Sequence, residues 1–135
     1  MFHHKIQNMN KAILSVDDER IILESLKYQL TKNFQNEFIL EFAESGVEAI
    51  EIVDDLINDN IELLLIISDY LIPQMDGEEL IKIIKDKYPK INVVMLTGQA
   101  NSTVINELLE TKLLNEVILK PWSEEELIKI IKKYT

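Results

Sequence analysis

The chain has 135 residues, with 14 Lys and Arg against 24 Asp and Glu and a net charge of −10. That size suits one domain, and that charge argues against unaided binding to nucleic acid or an anionic membrane, where cationic side chains supply the attraction. At 47% hydrophobic it is too apolar for a disordered acidic chain, and with no cysteine it has no disulfide, thiolate nucleophile or cysteine–zinc site, which fits a reducing, cytoplasmic compartment.

Met1–Asn10 lacks the apolar core of a signal peptide, so residues 1–10 read as a poorly ordered extension ahead of a domain over 11–135. His3 and His4 belong to that polar terminus and are not read as metal ligands. Apolar runs then alternate with amphipathic segments. The runs are Ala12–Val16, Phe38–Phe42, Leu64–Ser68, Val93–Leu96 and Val117–Leu119. Nearly continuous and rich in Leu, Ile and Val, they read as strands covered on both faces; the charge within Phe38–Phe42 places that run nearer an edge. The stretch Leu63–Ile67 is far too short to span a bilayer.

The segments between them carry apolar residues at helical spacing. The inward faces read as Ile22, Leu23, Leu26 and Leu30; Val47, Ile50, Val53 and Ile57; Leu80, Ile83 and Ile84; Val104, Ile105, Leu108 and Leu109; and Leu127, Ile130 and Ile131. Ser45–Glu48 and Ser123–Glu126 are capping boxes, Asp76 caps the third helix with Glu79 at N3, and Tyr88–Pro89 ends it. Strand–helix alternation with short links predicts an α/β parallel sheet with helices on both faces.

In such a sheet, ligands bind beyond the carboxyl ends of the strands. There the sequence places Asp17, Asp18 and Glu19, then Asp69, then Thr97 and Gly98, then Lys120 and Pro121. Carboxylates this close repel one another unless a cation neutralises them, and a hard divalent ion such as Mg²⁺ takes oxygen ligands. A hydroxyl and an ammonium at the same edge suit a phosphoryl group. The constellation predicts Mg²⁺-assisted phosphoryl chemistry with an Asp as nucleophile.

The pattern VDDE, SDYLIPQMDG, MLTG and ILKPW resembles the receiver domain of bacterial two-component response regulators over residues 11–134. The resemblance implies a flavodoxin-like (βα)5 sandwich with strand order 2-1-3-4-5. It implies that Asp69 accepts a phosphoryl group from phosphohistidine on a sensor histidine kinase or histidine phosphotransfer protein. Asp18, Asp69 and the Leu71 carbonyl would hold Mg²⁺, with Asp17 acting through a metal-bound water. Lys120 would pair with Asp69 at rest, Thr97 would swing toward the phosphate, and the Tyr70 and Gly98 N–H groups would donate to it. The switched state would control a downstream protein or output domain, with homodimerisation on phosphorylation, and the domain would be no enzyme beyond its own phosphorylation and dephosphorylation. Asp17 or Asp18 also helps cap the first helix, while Met75 and Trp122 read as packing residues.

Two departures and three alternatives stand beside this reading. Val117 occupies the position where many receivers carry an aromatic switch residue, which leaves a degenerate receiver, acting as a phosphorylation-independent binding module, as the alternative. Leu71 and Gln99 occupy the positions that influence access of hydrolytic water. A phosphatase of the haloacid-dehalogenase type needs a second acid where Leu71 stands, and a flavin carrier needs a phosphate loop where Asp17, Asp18 and Glu19 stand.

Overall fold

The structure, a computed structural model, describes residues 9–98 and 102–135. The expectations for His3, His4 and Gln99 lie outside the described residues. Elements alternate in chain order: β1 (Lys11–Val16), α1 (Arg20–Phe34), β2 (Ile39–Ala43), α2 (Gly46–Asn58), β3 (Glu62–Asp69), α3 (Gly77–Lys87), β4 (Asn92–Thr97), α4 (Thr103–Glu110), β5 (Glu116–Leu119) and α5 (Glu124–Tyr134). The strands form one five-stranded parallel sheet in the order β2-β1-β3-β4-β5. This is the flavodoxin-like order that the resemblance implied, and the charged β2 is an edge strand as expected.

Alternation along the strands sends residues to two cores. Leu14, Val16, Ile66, Val93 and Met95 pack with Val53, Leu80, Ile84 and Ile105, on the side of α2, α3 and α4. Ile13, Leu65, Ile67, Val94 and Leu96 pack with Leu26, Leu30, Leu127 and Ile131, on the side of α1 and α5. Over their paired span, Lys11–Val16 against Glu62–Ser68, β3 carries one residue more than β1. Ala12 pairs with Leu63, but Ile13 pairs with Leu65, so Leu64 is a bulge.

The caps follow the sequence with two changes. Ser45, Asp76 and Ser123 each accept the N–H three residues on, at 3.1, 2.9 and 3.1 Å. Glu48, however, reaches one residue further back than a capping box requires and accepts the Glu44 N–H at 2.6 Å. Ser102 caps α4 through the Ile105 N–H, a signal the sequence reading passed over. Val47 is more than half exposed, against expectation. It lies in the first turn of α2, where Gly46 and Ala49 are the buried residues instead.

Ser15 is fully buried in β1, and among the described residues its hydroxyl has no hydrogen-bond partner. A buried hydroxyl left unsatisfied costs stability, and alanine removes it without adding volume. Ser15→Ala is expected to raise unfolding free energy by about 0.5–1 kcal/mol, measured by urea denaturation.

Candidate functional site

Every strand that contributes here delivers its residue by ending at the same edge. β1 ends at Val16 and is followed by Asp17 and Asp18; β3 ends on Asp69 and β4 on Thr97; Lys120 follows β5. Asp17, Asp69 and Thr97 are buried, whereas Asp18 is exposed. One carboxylate oxygen from each of Asp17, Asp18 and Asp69 lies within 4.8 Å of the others. The Lys120 ammonium sits 3.3 Å from Asp17 Oδ2 and 3.3 Å from Asp69 Oδ1. The expected pairing with Asp69 is therefore shared with Asp17.

Burial, and then the charge of Asp69, hold the Asp17 carboxyl above the ordinary aspartate range, against the opposing pull of the Glu19 N–H and Lys120. Burial of the Lys120 ammonium favours its neutral form, but Asp17 and Asp69 outweigh that and raise its pKa. The site is thus an acidic cluster with one shared cation. Its remaining donor atoms are hard carboxylate oxygens, one of them on an exposed residue, and that donor set fits Mg²⁺.

Local geometry explains how the side chains are aimed. Asp17 Oδ1 accepts the Glu19 N–H at 2.9 Å, which braces the turn into α1. The helix N-cap itself is Glu19, without a side-chain cap bond, so Asp17 steadies the approach to the helix and does not cap it. The Lys120 N–H donates to the Thr97 carbonyl at 2.9 Å, tying the ends of β4 and β5 together, and the Lys120–Pro121 peptide is cis. Two residues beyond Asp69, Leu71 has an exposed side chain.

One expected donor is already engaged: the Tyr70 N–H donates to the Leu96 carbonyl at 3.2 Å, as part of the approach of β3 to β4. Among the described residues, nothing lies within 4 Å of where a Gly98 Cβ would stand. Val117 packs beside the α2–α4 core and brings no aromatic ring there. Met75 also packs against that core. Trp122 packs on the α1–α5 side, and its Nε1–H donates to Gln29 of α1 at 2.8 Å.

Gly77 is a residue the sequence reading used only as part of a motif. Its N–H donates to the Tyr70 carbonyl at 2.8 Å. A Cβ there would stand 3.0 Å from the Asp69 carbonyl oxygen, 3.0 Å from Tyr70 Cα and 3.1 Å from Met95 Cε. Two of these neighbours are backbone and cannot turn aside. Gly77→Ala is expected to cost about 1–3 kcal/mol in urea denaturation and to slow any chemistry at Asp69.

The comparisons agree with this geometry. Residues 13–132 match the family model described as response regulator receiver domain. The chain is 31% identical over 115 residues to a chemotaxis protein CheY homolog of Campylobacter jejuni, covering 84% of this chain and 83% of that one. It is 32% identical over 127 residues to sporulation initiation phosphotransferase F of Bacillus subtilis, covering 93% and 94%. Among solved structures, the signal receiver domain of an HD domain-containing protein from Pseudomonas fluorescens superposes with a TM-score of 0.79 at 27% identity, covering 94% of each chain. The clustered Asp17, Asp18 and Asp69 are typical of a working receiver and not of a degenerate one. The chain belongs to the response regulator receiver domain family of two-component signalling proteins.

Proposed function

We propose that Asp69 is the phosphoacceptor, that Asp17, Asp18, Asp69 and the Leu71 carbonyl form the Mg²⁺ site, and that Lys120 and Thr97 respond to the phosphoryl group. The observation that carries this reading is the shared cation: Lys120 lies 3.3 Å from both buried carboxylates, with Thr97 buried at the adjoining strand end. An Asp69 carboxylate oxygen attacks phosphorus, and the bond from phosphorus to the donor's imidazole nitrogen breaks. When bound, Mg²⁺ supplies charge neutralisation for the phosphoryl oxygens. Each Asp17 oxygen already accepts one hydrogen bond, from the Glu19 N–H and from Lys120, which supports a role for Asp17 through a metal-bound water.

The new acyl phosphate carries about −2 charge in place of the single charge of the Asp69 carboxylate, beside the buried Asp17. Lys120 then has a stronger partner than Asp17, and its reorientation, with that of Thr97, biases a two-state equilibrium. With Val117 in place of an aromatic, α4 and the segment leading into it are the route to the α4–β5–α5 face.

Receiver membership implies a histidine kinase or histidine phosphotransfer protein as donor. The phosphotransferase name of the Bacillus subtilis relative supports a phosphorelay. A downstream protein, homodimerisation on phosphorylation and a cytoplasmic location complete the reading. Among the described residues no helix is long and apolar enough to cross a membrane. Residues 11–135 form the receiver, preceded by an extension over 1–10. Incubation with acetyl phosphate and Mg²⁺, followed by mass measurement, tests the proposal. One phosphoryl group per chain is expected with Mg²⁺, and none in the presence of EDTA.

A further inference from the structure

β3 outlasts β1 at the functional edge. The last pair of their ladder is Val16 with Ser68. Beyond it the Asp17 N–H faces the other neighbour, β2, and donates to the Ala43 carbonyl at 3.1 Å. The next amide that would face β3 is that of Asp18, and among the described residues it makes no bond to the Asp69 carbonyl. A buried carbonyl without a donor is costly. The Ser68 hydroxyl supplies one: it is fully buried and donates to the Asp69 carbonyl oxygen at 3.0 Å.

The same peptide is held at its other pole, where the Tyr70 N–H meets Leu96 of β4 at 3.2 Å. The next carbonyl, that of Tyr70, accepts the Gly77 N–H at 2.8 Å. Three successive polar groups are thus fixed by β3 itself, by β4 and by the start of α3. They join the residue that carries the Asp69 carboxylate to Leu71. Neighbouring strand residues point to opposite faces, so Ser68 acts on the site through the backbone alone. An apolar side chain at 68 would fill the same strand position and leave this peptide held only through its Tyr70 N–H.

We propose that Ser68 is a positioning residue for phosphoryl transfer: its hydroxyl fixes the Asp69–Tyr70 peptide and thereby aims both the Asp69 carboxylate and the Leu71 carbonyl. The proposal rests on the phosphoacceptor reading above. Small displacements of a reacting group are costly in rate, and the same displacement spoils a metal ligand set.

The test compares Ser68→Ala and Ser68→Thr in the full chain, with Mg²⁺ affinity measured by titration calorimetry and labelling by acetyl phosphate followed by mass. Ser68→Ala is expected to weaken Mg²⁺ binding and slow labelling, each by about threefold to tenfold, while remaining folded. Ser68→Thr, which keeps the hydroxyl, is expected to recover both. A purely structural role moves the urea midpoint of Ser68→Ala and leaves its Mg²⁺ affinity and labelling rate at wild-type values, and that result overturns the proposal. So does a folded Ser68→Thr that recovers neither. Absence of labelling in the wild-type protein counts against the phosphoacceptor reading instead, and the Mg²⁺ titrations still decide the role of Ser68.

Discussion

Asp69→Asn ends labelling by acetyl phosphate and Mg²⁺, leaving the mass of the chain at that of the unreacted control. The substitution keeps the shape of the side chain and removes the nucleophilic oxygen and one of the three clustered charges. It is also expected to weaken Mg²⁺ binding and to lower the Asp17 pKa toward its ordinary value, because Asp69 is among the causes that raise it. Persistent label on the folded Asn variant, located by peptide mapping, would transfer the phosphoacceptor role to another acid, and Asp18 would be the first to examine.

Lys120→Ala has the second large effect, and it acts on stability as well as chemistry. Lys120 is the shared cation of two buried carboxylates. Removing one partner of a buried ion pair leaves an uncompensated charge, so a loss of about 2–3 kcal/mol is expected near neutral pH. The sign of the pH dependence follows from Asp17. Its pKa is raised in the folded state, so folding favours its protonated form. The stability it contributes is complete below the ordinary aspartate pKa and is lost as pH rises through the raised one. Without Lys120 that pKa rises further. The stability difference between wild type and Lys120→Ala should therefore shrink on acidification, and Mg²⁺ at neutral pH should shrink it too. Urea denaturation with and without Mg²⁺ at two pH values checks both. Labelling should slow by about 100-fold, the scale for losing one charge-stabilising donor. A stability difference that grows on acidification would refute the shared-cation account.

The fold was legible because its signals are local and periodic. Five strand runs and five helical faces appeared in the sequence, with ends displaced by a residue or two. Cap residues Ser45, Asp76 and Ser123 were read correctly because each bonds only three residues ahead. The site was legible by residue type and place, since strand ends converge in a parallel sheet. Relations across the sheet were not. The sharing of Lys120 between Asp17 and Asp69, the Tyr70 N–H already bound to Leu96, and the crowding at Gly77 depend on register and on the approach of separate elements. Ser68 was visible only as a polar letter in an apolar run. Its use follows from β1 ending one position early, which no single stretch of sequence states.

That register has a further consequence, and it concerns parity. Counting upward from the pairing of Lys11 with Glu62, an unbroken ladder would set Asp17 against Ser68. Strand residues alternate between faces, so the Asp17 and Asp69 carboxylates would then point to opposite sides of the sheet. The extra residue at Leu64 changes the count from even to odd: Val16 meets Ser68, and continuing that register by one position sets Asp17 level with Asp69 on one face. The number of residues in β3 is therefore part of the site, independent of their identity. A deletion at Leu64 keeps every acid, the threonine and the lysine, yet it forces the strand to choose between its lower pairing and the alignment of its two buried carboxylates.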